Sequence, residues 1–500
     1  MSDQRQPTLS PEDVLQRMLN SMQLGALNED HTPMVQEGLV PISDEKAINP
    51  EDRFLSAMAA LLLNVDAKAG RYEKGKLLDT IAAIDKVIND QVNEVLHNER
   101  FQQLESTWRG IEDLASNINF KANIGVDLLE VTKEELYEDF ENNSSDIFSS
   151  ALFEKVYIAE YDQYGGHPFG CIIGDYQFAH NPRDLFWLRS MGKIANASHA
   201  PFISAVSPQF FGCKTAEEVA AIKNLEGIVN HPKYGAWNAF RDSDEACYIG
   251  LTFPRYILRK PWHPETNPVP NFNFTEVASG DSTKYLWGNT AWLMARNLCR
   301  SFAQSGWCQY LRGPKGGGLI SGLPVDTYNL RGQEEMMIPV EVVIPDYREF
   351  EFAKSGFVPL VYRKESSDAT FFSVQSVKTP RKLKDPKDAE NSQLVCNLSY
   401  TFSITRIAHY VKSIMRDNIG STADGPYVQR ILNSWLNQYV TGAVNPDDLT
   451  LRAFPFKAAS VEVEPKPGQI GWYKCQISVL PHLQFEGMDV ELRLESRLGG

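Results

Sequence analysis

Cysteine is scarce in this chain of 500 residues. There are seven, at Cys171, Cys213, Cys247, Cys299, Cys308, Cys396 and Cys475, and no two form a CxxC pair. An odd, scattered set excludes a disulfide framework and a clustered-thiolate zinc site, and reads as buried free thiols in a reducing compartment. Long apolar runs are missing as well. The most apolar stretch, 54–63, is broken by Ser56, and a membrane-crossing helix needs ~20 such residues. The polar start, residues 1–11, has no apolar core of the kind a secretory leader carries. Positive charge is in deficit, with 49 basic against 64 acidic residues and a net charge of −15. An acidic chain is poorly equipped to displace counterions from nucleic acid.

Catalytic patterns are equally sparse. HExxH, GxSxG and GxGxxG do not occur. The run Gly313-Pro314-Lys315-Gly316-Gly317-Gly318-Leu319 has Leu319 at the seventh position, where a GxxxxGK phosphate loop needs the lysine that meets the phosphate. It reads instead as a tight turn that lets backbones approach closely. The nine histidines are scattered, and His97, His167 and His263 sit beside turns or helix ends. The carboxylates at 242–245 read as a solvated turn. No nucleophile, base, metal or cofactor set is in view, so no enzyme is expected: catalytic, cofactor-binding and metal residues, none.

What is present is ordinary globular composition, 43% hydrophobic and 23% charged. The length suggests about three domains at ~150 residues each. The charge is uneven: residues 1–150 hold 28 acidic and 13 basic residues, and the other 350 hold 36 of each. The first third is therefore solvated or faces a partner, whereas the rest can pack without bulk repulsion.

Ser10-Pro11-Glu12-Asp13 is a helix start, with a capping serine and proline at the first helical position. Val14, Leu15, Met18, Leu19 and Met22 then form one narrow apolar stripe, ending near Gly25. From His31 to Pro50 the chain has three prolines and no period, and reads as a flexible tether. The helix at 11–24 either docks on its own domain or is a peptide offered to a groove on another protein. Asn49-Pro50-Glu51 opens a second helix, through Leu63. A longer helical stretch, 75–118, carries Leu77, Ile81, Ile84 and Ile88, then Phe101, Leu104, Trp108, Ile111, Ala115 and Ile118. Their three-four spacing makes heptad-like seams. An internal helical hairpin and a partner helix would fill those seams equally well.

From about Asn123 the pattern becomes mixed α and β. Thr132 opens an acidic helix through Glu141. Strands are expected at 169–173, 201–205, 339–344 and 371–374, and helices at 184–197 and 215–228. Lys378 to Glu390 is charged and reads as a solvated linker. Ile404, Ile407, Val411 and Met415 make one face of a helix, with Arg406, Lys412 and Arg416 on the other. Simple solvation accounts for this basic stripe; a contact with an assembled partner is the sharper reading. Strict alternation at 459–464, 473–479 and 489–495 predicts a terminal three-strand meander. Its last strand, with Val490, Leu492 and Leu494, is free to pair with a neighbouring subunit.

Several stretches, in order, resemble one family. They include HNERFQQLESTWRG at 97–110, PFGCIIGDYQF at 168–178, SHAPFISAVSP at 198–208 and FRDSDEACYIGLTFPRYILR at 240–259. YLWGN at 285–289, SGWCQYLRGPKGGGLISGLP at 305–324, RIAHYVKSIMRDNIGS at 406–421 and KPGQIGWYKC at 466–475 continue the series. The chain is similar over roughly residues 50–495 to the large subunit of the bacterial type VI secretion contractile sheath (TssC/VipB type).

The resemblance implies an α/β (mixed α+β), multidomain fold. A flexible segment, 1–48, would precede a helical region at 49–122, a sheath core at 123–385 and an inner C-terminal domain at 386–500. It implies a small sheath subunit (TssB/VipA type) as partner, packing on Leu77, Ile81, Ile84, Ile88, Phe101, Leu104, Trp108 and Ile111. It implies other copies of the chain, linked by the strand at Val490, Leu492 and Leu494. Further implied partners are an inner tube protein (Hcp type), a baseplate, and an AAA+ disassembly ATPase (ClpV type) that would recognise Val14, Leu15, Met18, Leu19 and Met22. Arg406, Lys412 and Arg416 are the candidates for facing the tube. No cofactor, nucleic acid or direct membrane insertion is expected. The polymer would work in the bacterial cytoplasm, attached to a membrane-anchored baseplate. A sheath subunit of a phage-tail or pyocin-like particle is the alternative.

Overall fold

The structure, a computed structural model, describes residues 74–270, 272–420, 424–443, 446–469 and 472–482. The expected helices at 11–24 and 51–63, with Val14, Leu15, Met18, Leu19 and Met22, lie outside these residues. So does the terminal strand with Val490, Leu492 and Leu494.

The helical stretch is two helices, α1 (Lys74–Leu96) and α2 (Glu99–Asn117). Between them the last turn of α1 tightens, with Asn98 N bonded to Val95 O. By packing, the described chain forms two units. One is 74–98 with Trp262–Val277; the other runs from Glu99 to Pro261 and onward from Ala278.

In the larger unit, α3 (Lys133–Asn142) starts at a full capping box, in which Thr132 and Glu135 exchange side-chain and backbone bonds. The strands are β1 (Ile172–Phe178), β2 (Phe202–Val206), β3 (Ile249–Phe253), β4 (Tyr256–Ile257), β5 (Trp287–Gly288), β6 (Leu319–Ile320), β7 (Asp326–Leu330), β8 (Gln333–Met337), β9 (Val358–Tyr362) and β10 (Ala369–Phe371). Six of them form one sheet, ordered β1-β2-β3-β9-β10-β6. The first four are parallel neighbours and the last two join antiparallel. Parallel strands need both faces covered. Phe202, Val206 and Leu251 face a core with α4 (Pro182–Ser198), which supplies Trp187, Leu188, Met191 and Ile194. Ile203 and Leu360 share the second core with Met294 and Leu298 of α5 (Ala291–Ser305), and Phe352 of α6 (Asp346–Lys354) joins the first.

Several expected boundaries move. The strand read at 169–173 begins at Ile172 and continues through Gly174, Asp175 and Gln177. It is an edge strand, so polar residues belong to it. The helix read at 215–228 is two short ones, because Asn224 turns back to cap the second through Gly227 N. No strand forms at 339–344, where Val340 makes one isolated bridge to Tyr256 and Pro339 has no N–H to give. The strand read at 371–374 is β10, ending at Phe371.

The linker reading of 378–390 also needs correction. Lys378 is buried and donates to Ser243 O and Asp244 Oδ1, both at 2.8 Å. Arg381 reaches the same carboxylate at 2.9 Å. The segment is strapped down before α7 (Pro386–Val395) begins, and the 242–245 acidic turn is its anchor.

Capped by the Asn397 side chain, α8 (Leu398–Asp417) bridges two cores. Leu398 and Phe402 belong to the sheet core, whereas Ile407, Val411 and Met415 join a C-terminal core. The latter includes α9 (Gly425–Asn437) and a hairpin of β11 (Phe456–Pro465) and β12 (Tyr473–Pro481). These are the first two strands of the expected meander. Ile404, read as part of the apolar face of α8, is exposed.

Candidate assembly surfaces

α2 docks on its own unit through polar and small residues. Glu105 accepts two bonds from Arg259, Nε at 2.7 Å and Nη2 at 3.1 Å. Ser106 donates to Trp287 O (2.8 Å) and Thr107 to Asp175 Oδ2 (2.6 Å). A side chain on Gly110 would run into the Trp292 indole, so only glycine lets the helix approach this closely. Leu114 completes the contact with Trp292 and Ala295, with Ile111 and Ile118 beside them. Burial pushes the Asp175 carboxyl up, and the Thr107 hydroxyl pulls it part of the way back. Burial likewise raises Asp113, against the Arg296 guanidinium 3.6 Å away.

This docking turns the apolar row outward. Phe101, Leu104 and Trp108 are 36%, 58% and 62% exposed. Large apolar side chains aligned on one helix face mark an interaction site rather than a solvated surface. Of the seam residues expected to meet a partner helix, these three are open and Ile111 is partly buried within the chain. On α1, Ile88 is exposed, with Val87 next to it. The side chains of Leu77, Ile81 and Ile84 are outside the described residues.

The terminal hairpin offers a second surface. Ala459, Val461 and Val463 pair with Val479, Ile477 and Cys475 and lean on the C-terminal core. Among the described residues this sheet has only two strands; on the outer edge of β11, Val440 bridges Phe456 and the Asn433 amide of α9 takes both the N–H and the C=O of Val461. Unpaired N–H and C=O groups along such edges are templates for added strands.

The basic stripe of α8 is not one surface. Arg406 lies over the rings of Phe302, Trp307 and Tyr410 at 4.6, 5.1 and 5.2 Å. Lys412 and Arg416 turn the other way, to the end of a π-helical segment at Glu154–Tyr161. Lys412 pairs with Asp162 at 2.7 Å and sits 3.7 Å from the Tyr161 ring centre. Arg416 donates to Gln163 O, Tyr161 O and Asp162 O, capping that segment. The bond from Lys412 holds Asp162 below the usual carboxylate range. Positions 406 and 412 fall on different sides of a 3.6-residue helix, and these three heads are engaged inside the chain.

The glycine run fails as a phosphate cradle for a second reason. It presents carbonyls, not N–H groups: Gly317 O and Leu319 O accept from Arg300 at 2.6 and 2.7 Å, and Lys315 O accepts from Arg452 at 3.0 Å. A loop that turns its carbonyl oxygens to its neighbours has the wrong polarity to cradle an anion. Burial drives the Cys247 and Cys308 thiols up to about 12, which makes them inert at neutral pH. Among the described residues no group of histidine, cysteine and carboxylate could hold a metal, and no helix is long and apolar enough to cross a membrane.

Arg259, Asp175 and Trp292, which seat α2, were not singled out from sequence. They lie 154, 68 and 182 (292 − 110) residues from their partners on the helix, and nothing local marks them.

The sequence comparisons define the class. Residues 79–378 match the tail sheath N-terminal domain of the EvpB/VC_A0108 family, and residues 387–498 match its tail sheath gpW/gp25-like domain. The type VI secretion system sheath protein TssC1 of Pseudomonas aeruginosa is 40% identical over 422 residues, covering 84% of this chain and 85% of that protein. The chain therefore belongs to the TssC/VipB family of type VI secretion sheath large subunits. Among solved structures, the baseplate of the anti-feeding prophage aligns over 75% of this chain and 84% of that one, at TM-score 0.37 and 10% identity. The contracted sheath of the extracellular contractile injection system PVC aligns over 62% and 68%, at TM-score 0.34 and 9% identity.

Proposed function

We propose that this chain pairs with a small sheath subunit, polymerises as a helical sheath around an inner tube of Hcp type, and contracts to propel that tube. The observation that carries the pairing is the outward row Phe101, Leu104 and Trp108 on a helix whose polar and small residues are already committed to its own unit. A partner helix on this row would bury an apolar stripe that is otherwise exposed to water.

The outer edge of β12, which pairs with no further strand among the described residues, supports linkage between copies, with Val490, Leu492 and Leu494 as the exchanged strand. Main-chain bonds of ~1 kcal/mol net each would keep the mesh joined while subunits rotate. Contraction needs no nucleotide in this chain: two packings differing by a few kcal/mol per subunit, summed over many copies, suffice. The stripe Val14, Leu15, Met18, Leu19 and Met22 is the proposed recognition segment for a ClpV-type ATPase that dismantles the contracted form. The sheath would stand in the cytoplasm on a membrane-anchored baseplate.

Co-expression with the small subunit tests the reading: hollow tubes are expected by negative-stain microscopy. A chain that stays a well-behaved monomer and ignores the small subunit would overturn it.

A further inference from the structure

Asn89 and Asn93, one turn apart on α1, read a stretch of extended chain as a strand edge would. Asn89 Nδ2 donates to Asn273 O (3.1 Å), and its Oδ1 accepts from Thr275 N (2.9 Å). Asn93 Nδ2 donates to Thr275 O (3.0 Å), and its Oδ1 accepts from Val277 N (2.9 Å). The bonds fall on alternate residues, 273, 275 and 277. Four helical residues advance ~6 Å, at 1.5 Å each, and two extended residues ~6.6 Å. Amides spaced i, i+4 therefore keep register with a strand. The second proton of Asn93 Nδ2 goes to Asn89 O at 2.8 Å, which leaves the amide no freedom to flip.

The same helix face continues one turn further to His97, whose Nε2 lies 3.6 Å from Glu276 Oε1. Glu276 also closes the loop on its own start: its Oε2 accepts from Trp262 N (2.9 Å), and its N–H donates to Trp262 O (2.8 Å).

We infer that 262–277 is a clasp for α1, and that Asn89 and Asn93 are positioning residues for sheath assembly. The inference rests on α1 being one of the helices offered to the small subunit, with Val87 and Ile88 outward. A helix that is not already held in its binding geometry has to be ordered when it binds. A clasp supplies that ordering beforehand, which strengthens association without adding a contact to the partner. Because the amides read backbone, the clasp requires the N–H groups of 275 and 277 and is indifferent to the side chains there.

The test uses the full chain co-expressed with the small subunit. The double variant Asn89→Ala, Asn93→Ala and the single variant Thr275→Pro, which removes one N–H, are expected to lower tube yield about tenfold or more, the scale of a few lost hydrogen bonds. Thr275→Ala is expected to match wild type. Hydrogen exchange supplies the second readout: the Thr275 and Val277 amides should lose protection in the asparagine variant while β2 and β3 keep theirs. Wild-type tube yield from the double variant, with those amides unprotected, would overturn the inference. So would unchanged protection. If wild-type tubes never form, it is the sheath reading that fails, and the clasp then stands or falls on amide protection alone.

Discussion

Glu105 and Arg259 are held in a two-pronged ion pair with contacts of 2.7 and 3.1 Å, across 154 residues of sequence. Both side chains are largely buried, at 13% and 9% exposure. The pair is what turns α2 so that its apolar row looks away from the unit it belongs to. Removing Arg259 leaves the buried Glu105 carboxylate with only the longer contact to Arg109 Nε at 3.4 Å, so Arg259→Met is expected to cost about 2 kcal/mol. Urea unfolding measures the loss, and hydrogen exchange should place the first opening at 99–117.

Leu104→Glu and Trp108→Glu separate folding from assembly. Both side chains are exposed, so unfolding free energy should stay within about 0.5 kcal/mol of wild type. Co-purification of the small subunit should nevertheless be lost, because a carboxylate would be buried against an apolar partner. Retained pairing in both variants would remove α2 from the interface.

Gly110→Leu attacks the seat of the same helix from below. The added side chain meets the Trp292 ring, and overpacking of this kind costs about 1–3 kcal/mol. Stability and small-subunit binding should fall together, unlike in the Trp108 variant.

Lys412→Glu should damage the chain itself. It sets a carboxylate against Asp162 and removes the cation from the Tyr161 face. Limited proteolysis is expected to cut near 154–163 in the variant and to spare wild type. Intact resistance would argue that this clasp contributes nothing.

Acid should loosen the same joint. Burial holds His409 down to about 4. Its ring stands among Tyr161, His199, Lys412 and Arg406, and its Nε2–H donates to Ser198 O at 3.0 Å. Between pH 6.5 and 4 the unfolded chain binds the proton that the folded chain refuses. The contribution is therefore complete above pH 6.5 and is lost as pH falls towards 4, on the order of 3 kcal/mol. Asp162, held low by Lys412, weakens only further down the scale. In His409→Gln the slope of stability between pH 6.5 and 4 should flatten; an unchanged slope would exclude this histidine as its source.

Sequence alone carried the parts of this protein whose physics is local. Thr132 and Glu135 lie three residues apart, so their capping box was legible. Side chains alternate with period two, so β11 and β12 were legible as well. The seam Phe101-Leu104-Trp108 was visible through helical spacing, and the missing lysine at Leu319 ruled out a phosphate loop. Other properties depend on what the chain brings together. Whether the seam faced inward or outward waited on Arg259 and Asp175, remote residues that claim the opposite side of α2. The basic residues of α8 looked like a surface because a one-dimensional pattern cannot show that Asp162 and the rings of Phe302 and Trp307 are waiting for them. Asn89 and Asn93 were unremarked polar residues until 273–277 lay across them, because an amide ladder is defined by its partner's backbone, which no spacing within the helix can reveal.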